Sequence, residues 1–166
     1  MTARAHRSMV EVTAPLAGTI VALEDVPDPV FAGSVVGRGL AILPAEPETV
    51  GPDAGRVVVV APCAGRLRGV YPHALMIQID GNRAVLVHLG LDTAQLDGDG
   101  FDVAAREGEW VVEGQPLLAW SPAMVRAGGR STLCPLVAIR ATETEVVQLL
   151  EPGDRVAEGQ GMLLWS

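Results

Sequence analysis

Two histidines, His73 and His88, flank the stretch of sequence that most clearly predicts a β-hairpin. The two apolar runs between them are separated by Asp80-Gly81, and Asp-Gly favours a two-residue turn. A two-residue turn there places the two histidines directly opposite each other. A turn at Gly81-Asn82 instead places His88 opposite Leu75 and leaves His73 on the diagonal. Both registers put the imidazoles on one face, whereas a three-residue loop would put them on opposite faces.

The face that the two histidines would share is otherwise apolar. With either two-residue turn it carries Leu75, Ile77, Ile79, Ala84 and Leu86. Desolvation at the end of such a stripe favours the neutral imidazole. A neutral ring can act as a nucleophile, a metal ligand or a proton shuttle. The alternative is structural, namely a histidine at a strand end that bonds to a backbone carbonyl. The third histidine, His6, lies in the N-terminal segment.

The rest of the sequence predicts the β-strands that would position this pair. Nineteen glycines and twelve prolines punctuate short runs rich in Val, Ile and Leu, which is typical of an all-β sandwich or barrel. Strands are predicted at 18–23, 40–44, 57–61, 65–70, 74–80, 83–89, 110–112, 116–120, 136–139 and 162–165. Two short helices are predicted, one turn at 123–127 and an amphipathic helix at 142–150 that Thr142 and Glu145 would cap.

Two segments of the chain each occur twice. Ala-Pro-Leu-Ala-Gly at 14–18 returns as Ala-Pro-Cys-Ala-Gly at 61–65, and residues 108–120 match residues 153–165 at seven of thirteen positions. The longer repeat is a polar turn, Glu-Gly-Gln, and an apolar strand that ends in Trp120 or Trp165. Hairpin-like units of this kind bury their apolar faces only against one another. The repeats therefore predict a pseudo-symmetric sandwich in which both tryptophans serve packing.

Composition excludes several classes of function. All twelve basic residues are arginine, so the chain has no lysine for a Schiff base, a P-loop or a biotinyl or lipoyl attachment. The formal charge of −8 argues against nucleic acid or an anionic membrane surface as the main partner. A length of 166 residues fits one domain, predicted at residues 10–166 after a flexible tail at 1–9.

Localisation is predicted from what the sequence lacks. No apolar run approaches the roughly 18 residues that cross a bilayer, and the N-terminus has no apolar core of a secretory signal. The sequence therefore predicts a cytoplasmic protein without membrane insertion. In that compartment Cys63 and Cys134 are expected to be reduced, buried thiols.

Several motifs resemble a known family in order and approximate spacing. Val87-His88-Leu89-Gly90-Leu91-Asp92-Thr93 is similar to the active-histidine motif of the glucose-type IIA phosphocarriers of the bacterial sugar phosphotransferase system. The chain resembles further motifs of the family at residues 14–18, 24–32, 36–42, 98–101 and 131–136. The resemblance runs from about residue 10 to residue 166. It implies an antiparallel β-sandwich with a duplicated hairpin motif.

The resemblance also implies a function for the histidines. His88 would accept a phosphoryl group from the phosphorylated carrier HPr and pass it to a cysteine on the IIB domain of a sugar permease. His73 takes the place of the second histidine, which stabilises the phosphohistidine. Asp92 and Thr93 belong to the motif and would support it, although such a pair after a strand also serves as a turn or cap. No cofactor is implied, since the phosphoryl group arrives already activated.

Partner docking is implied at an apolar rim near His88. The residues that resemble this rim are Val30, Phe31, Val35 and Val36. Because lysine is absent, any cationic contact to a phosphorylated partner has to come from arginine, and Arg38 beside the rim is the candidate. One departure concerns His73, since Tyr71 stands where the family usually has a threonine two residues earlier.

Two other functions compete with the carrier. A zinc peptidase would need three protein ligands and a general base, and the sequence offers only two ordered histidines. The resemblance leaves open a regulatory zinc ion at His73 and His88, completed by an acidic residue of a partner. The main alternative is a regulatory binding module that docks on transporters or metabolic enzymes according to its phosphorylation state.

Overall fold

The computed structural model describes residues 8–51 and 54–166 of the chain. The strands are β1 (Val10–Thr13), β2 (Gly18–Ala22), β3 (Gly37–Pro44), β4 (Val57–Val60), β5 (Gly65–Tyr71), β6 (Ala74–Gln78), β7 (Ala84–His88), β8 (Phe101–Val103), β9 (Trp110–Val111), β10 (Pro116–Trp120), β11 (Cys134–Ile139), β12 (Val146–Gln148), β13 (Arg155–Val156) and β14 (Gly161–Trp165). The helices are α1 (Pro29–Ala32) and α2 (Pro122–Ala127), and two 3₁₀ turns cover Leu23–Asp25 and Thr93–Leu96.

The strands form three antiparallel sheets around one main core. The large sheet has the order β13-β2-β3-β11-β7-β6-β5-β9, and the two small sheets have the orders β1-β14-β12 and β4-β10-β8. Fully buried apolar side chains from both layers meet between them, including Val12, Ile42, Leu75, Val87, Leu118 and Leu163. The predicted antiparallel β-sandwich with one or two short helices is confirmed.

The predicted repeats are related by a pseudo-two-fold axis. The amide of Thr13 donates to the carbonyl of Pro62 at 2.9 Å, and Val60, the equivalent of Thr13, donates to Pro15 at the same distance. Likewise Ala14 donates to Gln160 at 2.8 Å, and Ala61 donates to Gln115 at 2.9 Å. Each short repeat is therefore held by one copy of the longer repeat, which confirms the duplicated hairpin motif.

The two tryptophans that end the longer repeats lie in the core, as predicted. Trp120 is 0% exposed and Trp165 is 1% exposed. Cys63 and Cys134 are free thiols and buried, which confirms the expectation from the sequence. Burial raises the pKa of both thiols to about 12, so neither is a thiolate at neutral pH.

All predicted strands overlap observed ones, but one predicted helix is wrong. The capping pair forms, since Thr142 Oγ1 donates to Glu145 Oε1 at 2.9 Å, yet it closes a turn and starts no helix. The chain continues as β12, whose Val146 pairs with Trp165 of β14. Pairing along the edge of a small sheet outweighs the local helix signal in this β-branched segment.

Some predictions fall on residues that the structure does not describe. The predicted tail at 1–9 lies outside the described residues except for Ser8 and Met9, and so does His6. The carbonyl of Ser8 accepts a hydrogen bond from Arg83 at 2.8 Å. Across residues 8–51 and 54–166, no helix is long and apolar enough to span a membrane.

Candidate active site

The hairpin between the histidines has neither of the two predicted registers. β6 and β7 pair Ala74 with His88 and continue to the hydrogen bond from the amide of Ile79 to the carbonyl of Arg83. The loop therefore has three residues, 80–82. Asp80 explains this, because its Oδ1 accepts hydrogen bonds from the amides of Asn82 at 3.0 Å and Arg83 at 2.9 Å. A side chain that bonds its own turn replaces the predicted Asp-Gly turn.

The two imidazoles nevertheless lie next to each other, because His73 lies outside the regular alternation of a strand. His73 is not a strand residue, since Tyr71 pairs with Ala74 and leaves Pro72 and His73 as the turn between β5 and β6. A turn residue is free of the alternation that would send its side chain away from His88. The ring centroids of His73 and His88 lie 5.3 Å apart at an interplanar angle of 66°.

The predicted apolar stripe beside the histidines is wrong for most of its members. Leu75 and Ile77 point into the main core together with Val85 and Val87. His88 instead shares with Leu86 the outer face of the large sheet, the face turned away from that core. The observed register differs by one position from each predicted one. The β7 side chains on the same face as Leu75 and Ile77 are therefore Val85 and Val87, and no longer Leu86 and His88.

One backbone contact fixes which nitrogen of His88 can react. Nδ1 of His88 lies 2.7 Å from the carbonyl oxygen of Gly90, so Nδ1 carries the proton and donates it. The lone pair is then on Nε2. Gly90 has φ +74°, and a Cβ there would come within 2.9 Å of the carbonyl oxygen of Ser131. Glycine is required at this position to aim the carbonyl at the ring.

Burial keeps both imidazoles neutral. It lowers the pKa of His88 below its usual 6.5, although the carbonyl of Gly90 and the charges of Asp28 and Asp92 act in the opposite direction. Burial and the neighbouring His88 also lower the pKa of His73. At neutral pH the site therefore presents two neutral rings, of which His88 has its reactive nitrogen unprotonated.

The residues predicted as an apolar rim lie on and after α1, next to His88. The ring of Phe31 stands edge-on to His88 with the centroids 5.3 Å apart. Phe31 is buried in a second apolar cluster on the outer face, formed by Leu23, Val26, Phe31, Ala41, Leu91 and Val137, with Val36 packed against it. Val30 is 47% exposed and Val35 is 74% exposed, so the cluster ends in an accessible apolar edge.

The remaining predicted residues differ in how near they come to the histidines. Thr93 is buried and its hydroxyl donates to the carbonyl of Leu89 at 2.8 Å, a contact that shapes the loop after β7. Asp92 is exposed in a left-handed conformation and acts on His88 through its charge. Arg38 is not brought to the pair. Its guanidinium lies 3.9 Å from Glu143, and its β3 position alternates away from the face of Ala41.

Sequence reasoning missed Asp28 as a functional residue. Asp28 caps α1 by accepting a hydrogen bond from the amide of Val30 at 2.9 Å, and its charge favours the protonated ring of His88. The Asp-Pro sequence that starts α1 is a helix N-terminal signal that could have located this turn.

Tyr71 stands beside His73 at the position where the family usually has a threonine. Tyr71 contacts His73 ring to ring, with the centroids 5.8 Å apart, and is 59% exposed. The contact at the position of the usual threonine is therefore between two tilted aromatic rings, at an interplanar angle of 38°. Within residues 8–51 and 54–166, no group of three or more His, Cys, Asp or Glu side chains could hold a metal ion.

Comparison with known proteins shows the family of the chain. The profile of the family described as phosphoenolpyruvate-dependent sugar phosphotransferase system, EIIA 1, matches residues 10–144. The glucose-specific EIIA component of Staphylococcus aureus is 36% identical over 144 residues, which are 86% of this chain and 81% of the relative. The corresponding protein of Staphylococcus epidermidis is 34% identical over 157 residues, 93% of this chain and 88% of the relative.

A solved structure is similar over nearly the whole chain. Glucose permease IIA from Mycoplasma capricolum superposes with a TM-score of 0.81 and 28% identity, covering 95% of this chain and 96% of that one. The chain belongs to the EIIA 1 family of the phosphoenolpyruvate-dependent sugar phosphotransferase system. The predicted resemblance to glucose-type IIA components is confirmed.

Proposed function

We propose that residues 10–166 act as one cytoplasmic IIA phosphocarrier domain. His88 accepts a phosphoryl group from phosphorylated HPr and passes it to a cysteine on a IIB domain, so that sugar uptake is coupled to phosphorylation. The observation that carries this proposal is the hydrogen bond from Nδ1 of His88 to the carbonyl of Gly90. It leaves the lone pair on Nε2, beside a second imidazole and an exposed apolar edge.

The transfer balances without a cofactor. Nε2 of His88 attacks the phosphorus, the P–N bond to the donor histidine breaks, and the donor nitrogen takes back its electron pair. The ring of His88, now substituted at Nε2 and protonated at Nδ1, gains positive character. The carbonyl of Gly90 and the charges of Asp28 and Asp92 favour a positive ring. In the next step a thiolate of the IIB domain attacks the phosphorus and Nε2 leaves.

His73 is the stabilising partner in this proposal. Its ring lies close enough to His88 to meet a phosphoryl group on Nε2. A neutral imidazole has one N–H, and that donor can bond to a phosphoryl oxygen as charge shifts during transfer. The tilted ring contact with Tyr71 holds the turn residue in place for this role.

Docking takes place on the apolar edge beside the histidines. Val36 packs against the apolar cluster that contains the buried ring of Phe31, and that ring contacts His88 directly. Val30 and Val35 are exposed on the same segment of chain. Such a shallow apolar edge suits transient interfaces at the small end of the size range. Both carriers have to use it in turn, because each must bring its reactive atom to Nε2 of the same histidine. Asp92 and Thr93 support the site by charge and by shaping the loop.

The experiment is a two-step transfer assay with purified proteins. The full chain is incubated with ³²P-phosphorylated HPr, and His88→Ala is the control. Label on the wild type and none on His88→Ala supports the first step, whereas equal labelling of both contradicts it. The labelled chain is then mixed with a IIB domain. The glucose-specific names of the relatives make a glucose permease IIB the first choice.

The same assay separates the carrier from the alternative regulatory module. A chain that accepts the phosphoryl group and gives it to no IIB domain would act as a phosphorylation-dependent regulator of transporters or enzymes. Transfer onward with loss of label from His88 identifies a relay subunit of a phosphotransferase.

A further inference from the structure

The loop after β7 contains one residue in an unfavourable backbone conformation, close behind the reactive histidine. Asp92 has φ +57° and ψ +21°, in the left-handed region, where a residue with a Cβ is less stable than glycine. It comes two positions after Gly90, whose carbonyl accepts a hydrogen bond from His88 at 2.7 Å. The side chain of Asp92 makes no capping hydrogen bond to the 3₁₀ turn that begins at Thr93. Contacts of its backbone therefore have to hold Asp92 in this conformation.

The guanidinium of Arg130 supplies such a contact from a different segment of the chain. Its Nε donates to the carbonyl of Asp92 at 3.2 Å, and Nη2 donates to Oε1 of Gln95 at 3.2 Å. Nη1 donates to the carbonyl of Gly128 at 3.4 Å, directly after α2. The planar and fixed geometry of a guanidinium suits several acceptors at once. Arg130 therefore ties the turn that Asp92 starts to the end of α2.

The other contacts of this loop do not fix Asp92 itself. The amide of Leu91, one position earlier, donates to the carbonyl of Ser131 at 3.0 Å. Within its own turn, the carbonyl of Asp92 accepts a hydrogen bond from the amide of Gln95 at 3.4 Å, which is long for such a bond. In the described part of the chain, Arg130 is the hydrogen-bond partner of Asp92 from outside this turn. Loss of the guanidinium contact would therefore allow Asp92 to relax toward the right-handed region.

The carboxylate of Asp92 remains available to act on the histidine. Arg130 contacts the carbonyl of Asp92 and not its carboxylate, and Asp92 forms no ion pair among the described residues. The other titratable groups around His88 are Asp28, at the start of α1, and His73, in the turn between β5 and β6. The charge of Asp92 raises the pKa of His88, against the effect of burial. The position of this carboxylate relative to the ring therefore affects the charge that the ring can carry.

From these contacts we propose that Arg130 is a positioning residue for the transfer at His88. It keeps Asp92 in the left-handed conformation, so that the carboxylate stays where its charge supports the ring that gains positive character on phosphorylation. This inference rests on the proposed carrier function and adds to it a residue that acts on the ring through Asp92. Arg130 lies shortly before β11, the neighbour of β7, so the segment that enters β11 also holds the loop that leaves β7.

Two variants of the full chain test whether Arg130 acts through Asp92. Arg130→Lys keeps the positive charge but cannot reproduce the three contacts of the guanidinium. With phosphorylated HPr as donor, we expect kcat to fall about 5-fold, the size of one lost hydrogen bond, with KM unchanged. In the unphosphorylated chain, an NMR titration should show the pKa of His88 lowered further, since the charge of Asp92 moves away from the ring. Asp92→Asn should lower kcat and that pKa as well, and adding Arg130→Lys to it should change neither any further.

Arg126→Lys is the matched control. Arg126 is exposed in α2, and its guanidinium pairs with Glu46 at 3.5 Å. This variant should leave kcat and the pKa of His88 unchanged. An unchanged kcat or pKa in Arg130→Lys, or a second loss of full size in the Asp92→Asn background, overturns the inference. The titration needs no donor protein, so a chain that shows the expected pKa changes but takes no label from phosphorylated HPr would defeat the carrier function alone.

Discussion

The two halves of the large sheet are built alike but end differently. In the first half, β2 is clasped by the turn before β13, and the amide of Ile20 donates to the carbonyl of Asp154 at 2.8 Å. In the second half, β5 is clasped by the turn before β9, and Leu67 donates to Glu109 at 2.9 Å. The equivalence extends across the sheet, whose strand order is symmetric about the β11–β7 pair.

The difference lies in the segments that come after the two equivalent strands. β2 runs into a 3₁₀ turn and α1, which carries Phe31 to the site. β5 runs into a two-residue turn, which carries His73 to the same place. The duplicated strands thus form the common scaffold, and the segments without a counterpart supply the side chains around His88. The repeated strands therefore stabilise the fold, and the unrepeated segments carry the residues of the proposed site.

Replacing the side chain that only the second half supplies should have the largest effect. His73→Gln keeps a polar group in the turn but removes the imidazole N–H that meets the phosphoryl oxygen. We expect the relay from phosphorylated HPr through His88 to a IIB domain to slow about 100-fold, the size of one lost donor in a transfer site. Rapid-quench kinetics measure this. An unchanged rate would show that the second histidine is dispensable.

Two glycines compare the unrepeated segments with the repeat, since Gly90 lies in the loop after β7 and Gly114 lies in a turn of the longer repeat. Gly90→Ala should destabilise the fold by about 2 to 4 kcal/mol, because φ is +74° and a Cβ would lie 2.7 Å from Cγ2 of Thr93. Gly114→Ala has a similar φ of +83° but no described atom within 4 Å, so it should cost only about 1 kcal/mol. Urea unfolding of both variants compares them. Equal costs would contradict the tight placement of the Gly90 loop.

The two tryptophans test how equal the repeated halves are. The indole Nε1 of Trp165 lies 3.5 Å from Oε2 of Glu145, whereas the buried Nε1 of Trp120 has no partner among the described residues. Trp165→Phe removes a satisfied donor and Trp120→Phe removes an unsatisfied one. We therefore expect Trp165→Phe to be the more destabilising by about 1 kcal/mol. Thermal unfolding gives the order, and the reverse order would contradict this assignment of hydrogen bonds.

The pH dependence of labelling should give the smallest effect. Because burial lowers the pKa of His88, the ring stays neutral below pH 6.5 and the labelling rate should hold there, falling only as the pH drops through the lowered pKa. Phe31→Ala exposes the ring and should move the inflection upward toward 6.5. The free energy of unfolding changes in the same direction. Because the pKa of His88 is lower in the folded chain, the unfolded chain takes up the proton at a higher pH, and the free energy of unfolding declines as the pH falls below 6.5. An inflection that Phe31→Ala leaves in place would contradict burial as the cause.

Much of the scaffold was predictable because it is written in local patterns. Short β-branched runs between glycines and prolines predict the strands, and the matched repeats predict the pseudo-symmetry. The proximity of His73 and His88 was predicted, but their geometry was not, Arg38 lies elsewhere, and Asp28 was missed. A side-chain hydrogen bond of Asp80 sets the hairpin register, and the position of His73 in a turn restores the contact that this register alone would abolish.

Other features depend on pairing between distant segments, which local patterns do not contain. Residues 146–148 have a helical signal before them but join β14 as an edge strand. Arg38 is close in sequence to Val36, but strand alternation turns it toward Glu143. Arg68 meets Gln78 only through the pairing of β5 with β6, where its Nε donates to Oε1 of Gln78 at 2.6 Å.

The most direct test of the account is to identify the phosphorylated atom. The full chain, labelled with ¹⁵N in its histidines, is phosphorylated by HPr and studied by NMR, where coupling to phosphorus distinguishes the two ring nitrogens. The hydrogen bond from Nδ1 of His88 to the carbonyl of Gly90 predicts phosphorus on Nε2 of His88, with Nδ1 still protonated. Phosphorus on Nδ1 of His88, or on His73, would contradict the account.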